Sequence, residues 1–89
     1  MAVFLISYTV VGNNRQALDG AIQSYGQWWH QGPSVWLIES YLSSKQVADH
    51  LNSFLRQGDK LLVIEVRGNW WAVGHTQDEY NWMRSKNLY

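Results

Sequence analysis

Three short apolar runs constrain this chain more than any other feature. Residues 2–11 read AVFLISYTVV, residues 34–40 read SVWLIES and residues 60–66 read KLLVIEV. Each is rich in β-branched and aromatic residues and is flanked by Gly, Asn, Asp or Ser. Runs of this length and composition form strands that are buried on at least one face. In the first run Phe4, Ile6, Tyr8 and Val10 share one face, and Ser7 and Thr9 share the other.

Between these runs the apolar spacing becomes helical. Ala17, Leu18, Ala21, Ile22 and Tyr25 predict a helix over 15–25, with Asn14 at its cap and Gly26 at its end. Val47, Leu51, Phe54 and Leu55 predict a second helix over 45–55, capped by Ser43 or Ser44 and closed by Arg56-Gln57-Gly58-Asp59. Gly32-Pro33 is a turn signal that folds 28–30 back on 34–40 as a hairpin, with Pro33 in the turn. After the third run, Arg67-Gly68-Asn69 leads into a short last strand over 70–73. Thr76 and Glu79 have capping-box spacing and open a terminal helix to about residue 86.

The order is strand, helix, strand, strand, helix, strand, then a short strand and a helix. This predicts an α+β fold: a ferredoxin-like βαββαβ antiparallel sheet with helices on one face, plus the C-terminal strand and helix. The 89 residues make one domain. The second sheet face is left for something else to cover. A two-fold, sheet-to-sheet dimer would use such a face.

Charge narrows the function. Seven basic and seven acidic residues cancel, which disfavours a long duplex-binding groove, since that needs clustered Lys and Arg. A single nucleotide or short strand is compatible with it. Without cysteine there is no disulfide framework and no thiolate metal site. The apolar start has no basic flank and is too short to span a membrane. The expected setting is the cytoplasm.

The blocks MAVFLISYTV, YGQWWHQGPSVWLIES, LSSKQVADHL and GDKLLVIEVRG resemble, in order and spacing over about residues 2–86, small bacterial and phage proteins known as the "SinR family". These are similar to the small CRISPR adaptation subunit, Cas-two, and more distantly to VapD-type RNA-cleaving toxins. The resemblance implies a ferredoxin-like homodimer. In Cas-two-like proteins an aspartate closes the first strand, and a symmetric pair of them is assigned to a metal site for phosphodiester cleavage. Thr9 stands at that position here. A neutral hydroxyl is a poor Mg²⁺ ligand beside a carboxylate, and two-metal hydrolysis relies on carboxylates. The departure argues against nuclease chemistry and leaves the fold and dimer unaffected.

Aromatic residues supply the other candidates. The chain holds six tryptophans, two of them in GQWWHQGP and two more at Trp70-Trp71. Strand geometry puts Trp28 and His30 on one face and Trp29 on the other. These rings are either core and dimer contacts or a platform for a base, with His30 as a hydrogen-bonding partner. Trp70 and Trp71 are either an edge that meets a partner subunit or a second platform, with Arg67 as a phosphate contact. Asn14 and Arg15 follow Gly12-Asn13 at a helix start, which is either an ordinary cap or an anion site. The three histidines have no mutual spacing of three or four, so there is no helical metal motif.

The resulting expectation is a non-catalytic homodimer, or higher homo-oligomer, that binds a nucleotide or short nucleic acid without a cofactor. Its ligand residues would be drawn from Thr9, Asn14, Arg15, Trp28, His30, Arg67, Trp70 and Trp71. One alternative is a Mg²⁺- or Mn²⁺-dependent nuclease. Another is a phage-encoded anti-defence protein that sequesters a nucleotide-derived immune signal or docks on a host or phage defence protein.

Overall fold

The computed structural model describes residues 1–86 and 88. Its elements are β1 (Ala2–Thr9), α1 (Arg15–Gln23), β2 (Gln27–Gly32), β3 (Val35–Ser40), α2 (Ser44–Asn52), β4 (Lys60–Val66) and α3 (Gln77–Arg84). The four strands form one antiparallel sheet in the order β2-β3-β1-β4. This is the ferredoxin-like arrangement, with α3 added at the C-terminal end. Among the described residues no helix is long and apolar enough to cross a membrane.

The strand β1 is central and apolar on both sides, so each face of the sheet needs a cover. On the first face Phe4, Ile6 and Tyr8 meet Trp36 and Ile38 of β3. Leu18, Ala21 and Ile22 of α1 and Val47 and Leu51 of α2 close this core. On the second face Val3 and Leu37 pack with Met83 and Leu88, joined by Leu5, Trp29, Val66, Trp70 and Trp82. The second face is therefore partly roofed by the chain's own C-terminal helix. Register settles which residues share it: Ser7 lies opposite Val35 and Leu62, and Leu5 opposite Leu37 and Ile64. Leu62 and Ile64 thus stand on the Ser7 face, and Leu61, Val63 and Glu65 on the other.

The hairpin forms as expected. Trp28 pairs with Ile38, Trp29 with Leu37 and His30 with Trp36, and a register shift between His30 and Gly32 precedes the turn at Pro33. That shift is a bulge, which strengthens local twist at the sheet edge.

The short strand expected over 70–73 does not form; the described residues make four strands, and this segment runs as irregular chain. Gly68 and Gly74 take positive φ values of 30° and 82°, which only glycine adopts at little cost. They bend the chain at both ends of the segment. It crosses the second face instead of continuing the edge of β4. Trp70 turns into the second core, while Trp71 is 91% exposed.

The helix starts differ from one another. Ser43 makes a full capping box with Gln46, its hydroxyl accepting the Gln46 N–H at 3.1 Å and the Gln46 amide accepting the Ser43 N–H at 2.9 Å. Asn14 occupies the cap position of α1 but makes no side-chain cap bond. Its buried amide donates to the Phe54 carbonyl at 2.8 Å and to Asp59 at 2.9 Å. Asp59 also accepts the backbone N–H of Val11 at 3.0 Å and of Arg56 at 2.8 Å. One carboxylate thus ties the β1–α1 loop to the α2–β4 turn.

The N–H groups of Val11 and Arg56, then the Asn14 amide, hold the Asp59 carboxyl below its ordinary value. Its stabilising effect is present above the ordinary carboxylate range. It is lost as pH falls through that range to the lower folded value. Asp59→Ala should lower the melting temperature at neutral pH, and the gap from the parent protein should close in strongly acidic buffer. A gap that is constant across a thermal-melt pH series would show that the carboxylate does not form this tie.

Candidate functional site

The residues expected to bind ligand are spread over separate parts of the surface. Thr9 is exposed at the end of β1, opposite Lys60 in the register. Asn14 is buried in the Asp59 tie. Arg15 lies over the Tyr8 ring at 5.6 Å from its centroid, donates to the Ser34 hydroxyl at 3.3 Å and sits 3.9 Å from Asp19. Tyr8 donates to the same aspartate, and burial followed by this bond pushes the Tyr8 phenol up. Arg67 pairs with Glu65 on the same strand end.

Trp28 and His30 project together on the α1/α2 side of the sheet. His30 stacks on Trp36 with centroids 3.9 Å apart and planes 6° from parallel. Trp28 meets Trp36 edge-on at 5.4 Å and is 38% exposed. These two side chains pack on the buried Trp36 at the edge of the first core. Trp29 points the other way, against the second core. Strand parity thus divides Trp28 from Trp29 as expected.

Trp70 and Trp71 differ from the rest because they share a cavity. A cleft of about 260 Å³ lies between the second sheet face, the 70–72 segment and α3. Its apolar walls include Leu5, Leu37 and Met83 together with Trp70 and Trp71. Its polar side chains are Gln31, His75, Glu79 and Tyr80. A shallower groove bounded by Trp70, Trp71, Ala72, Tyr80 and Arg84 adjoins it. The two tryptophans, Ala72 and Tyr80 are common to both.

Local structure fixes the polar groups. The Thr76 hydroxyl caps α3 by accepting the Glu79 N–H at 3.4 Å. The Glu79 carboxylate turns to His75, pairing with Nδ1, and accepts from the Thr76 hydroxyl at 3.3 Å. The His75 bond is the main cause holding Glu79 below its ordinary value, partly offset by desolvation. An ionised Glu79 only accepts hydrogen bonds, so in this pair His75 Nδ1 is the donor. Tyr80 donates to the Ala72 carbonyl at 2.8 Å, pinning the tryptophan segment to α3. The Arg84 guanidinium sits 5.7 Å from the Tyr80 ring centroid. Among the described residues Arg84 forms no ion pair.

Gln31, His75, Glu79, Tyr80 and Arg84 were not singled out as ligand residues by the sequence reasoning. Two signals were present. His75 and Glu79 are four apart across a helix start, and Tyr80 and Arg84 are four apart on the same helix, so each pair meets. Among the described residues no group of three or more His, Cys, Asp or Glu side chains converges as a metal site. Comparison with protein-family models, curated proteins and solved structures found no match for this chain.

The exposures predict opposite costs for two rings. Trp71→Ala should change stability by no more than about 0.5 kcal/mol, the usual range for a surface site. Trp28→Ala should cost more, because it also removes an aromatic pair contact of roughly 0.5–1.5 kcal/mol. Urea unfolding measures both. A core-sized loss for Trp71→Ala, about 3–5 kcal/mol, would place that ring inside the fold.

Proposed function

We propose that this protein binds a nucleotide, or the exposed base of a short single strand, without acting on it chemically. The base enters the cleft beside Trp70 and Trp71, and its phosphate lies toward Arg84. The observation that carries this reading is Trp71. A tryptophan that is 91% exposed beside an apolar cleft forgoes burial of a large ring, which stacking against a flat ligand restores. The cleft volume of about 260 Å³ falls just below the roughly 300–1,000 Å³ of drug-sized ligand sites. That suits one ring system with its sugar and phosphate outside. Arg84, beside the shared aromatic wall and without an ion-pair partner among the described residues, suits an outer phosphate. Of the expected ligand residues this reading keeps Trp70 and Trp71, sets aside Thr9, Asn14, Arg15, Trp28, His30 and Arg67, and adds Tyr80 and Arg84.

Isothermal titration with the four ribonucleoside monophosphates tests the reading. Trp71→Ala should weaken binding by about 1–3 kcal/mol, the value of one base–aromatic stack, with little change in melting temperature. No heat with any of the four would end it.

The same reading has the protein acting as a homodimer. Its support is the outer strand β4, where Leu62 and Ile64 are 55% and 48% exposed on one face of an unpaired sheet edge. Such an edge is open to pairing with another chain. Sedimentation should find two chains in the parent protein and one in Ile64→Lys. An unchanged mass would remove β4 from the interface.

A further inference from the structure

The open edge strand β4 runs from Lys60 to Val66, and we propose that it pairs with β4 of a second copy so that the partner's Lys60 completes the nucleotide cleft. This rests on the nucleotide-binding and homodimer readings above and adds a binding residue supplied from across the interface. Lys60, Leu62, Ile64 and Val66 lie opposite Thr9, Ser7, Leu5 and Val3, so all four stand on the face that carries the cleft. Leu5 and Val66 are themselves cleft wall. The other sheet edge, β2, is broken by the bulge after His30. β4 keeps an unbroken register with β1 and contains no proline or glycine. A regular edge of this kind is the one that another strand can extend.

Two-fold symmetry fixes the register. An axis normal to the sheet pairs β4 antiparallel with its own copy, and each contact then occurs twice. Directly opposite residues must also share a sheet face. All seven residues of β4 pair only when the axis passes through Val63. Leu62 then meets Ile64 of the partner subunit, and the symmetric contact covers the other two exposed side chains. Sliding by two residues either way leaves one end of each strand unpaired. In the full register Val66 meets the partner's Lys60, with Cα atoms about 4.5–5.5 Å apart.

Charge favours this meeting. The cleft carries one carboxylate, Glu79, and no Lys or Arg. Lys60 is exposed and forms no ion pair among the described residues. Its flexible stem carries a point charge suited to phosphate. It joins Arg84, which bounds the adjoining groove, as a second cation for the ligand. Within one chain Lys60 and Val66 are at opposite ends of β4, about 20 Å apart along the strand. Lys60 does not line its own cleft.

The test mixes variants of the full chain and uses the four ribonucleoside monophosphates and their unphosphorylated nucleosides as probes. Lys60→Ala should weaken monophosphate binding about tenfold, the worth of one hydrogen bond to a charged group. Nucleoside binding should stay within about twofold of the parent. Mixing Lys60→Ala with Trp71→Ala should restore one parent-strength cleft in each mixed dimer, because Trp71 and Lys60 of that cleft come from different chains. Independently, a Lys60→Cys chain mixed with a Val66→Cys chain should form a disulfide-linked dimer, while neither links to itself. The protein has no cysteine of its own to confuse this readout. Parent-level monophosphate binding by Lys60→Ala, a mixture that restores no cleft, or the absence of the mixed disulfide would overturn the inference and leave nucleotide binding standing. No binding of any probe would overturn both. The disulfide tests the register even if Lys60→Ala folds poorly.

Discussion

Everything in this fold follows from a central strand that is apolar on both sides. β1 carries Phe4, Ile6 and Tyr8 on one face and Val3 and Leu5 on the other. A strand at the sheet edge or facing solvent could not afford that pattern. The first set is closed by α1 and α2, as the βαββαβ order requires. The second set needs a cover of its own, and Met83 and Leu88 supply part of it from the C-terminal end. The path of the chain after β4 is a consequence: it must cross the second face to deliver α3.

That crossing makes the cleft. Gly68 and Gly74 bend the connection, Trp70 anchors it in the second core, and Tyr80 holds Ala72 from above. With Trp70 inward, Trp71 is left outward. The short roof leaves a gap over Leu5 and Leu37, lined by the start of α3. Aromatic walls and a paired His75–Glu79 at that helix start give the gap both an apolar and a polar lining. Its residues come from β1, β2, β3, β4, the connecting segment and α3. No short motif spans such a set.

The fold was largely legible in the residues, because period-2 and period-3.6 patterns report directly on local backbone geometry. All four main strands, the hairpin at Pro33 and the three helices follow from them. The residues at 70–73 predict a strand, yet none forms there: Trp, Trp and Val favour strands wherever they meet a partner. Here β4 gives them none, and the flanking glycines turn the chain away. Asn14 was correctly placed at the start of α1, but its amide goes to Phe54 and Asp59, residues far along the chain that spacing could not bring to it. Trp28 and His30 looked like a platform because they share a face; Trp36, opposite them in register, supplies the ring on which they pack.

The sequence by itself determined the element order, the turn positions and the division of Trp28 from Trp29, since each depends on neighbours in the chain. Only the tertiary structure decided which tryptophan of the second pair is exposed and that α3 roofs the second face. It also brought Gln31, from the hairpin, to the cavity that holds His75 and Glu79. The physical reason is the same in each case. Local backbone preference acts over a few residues. A cleft is set by where the packing of distant apolar side chains runs out.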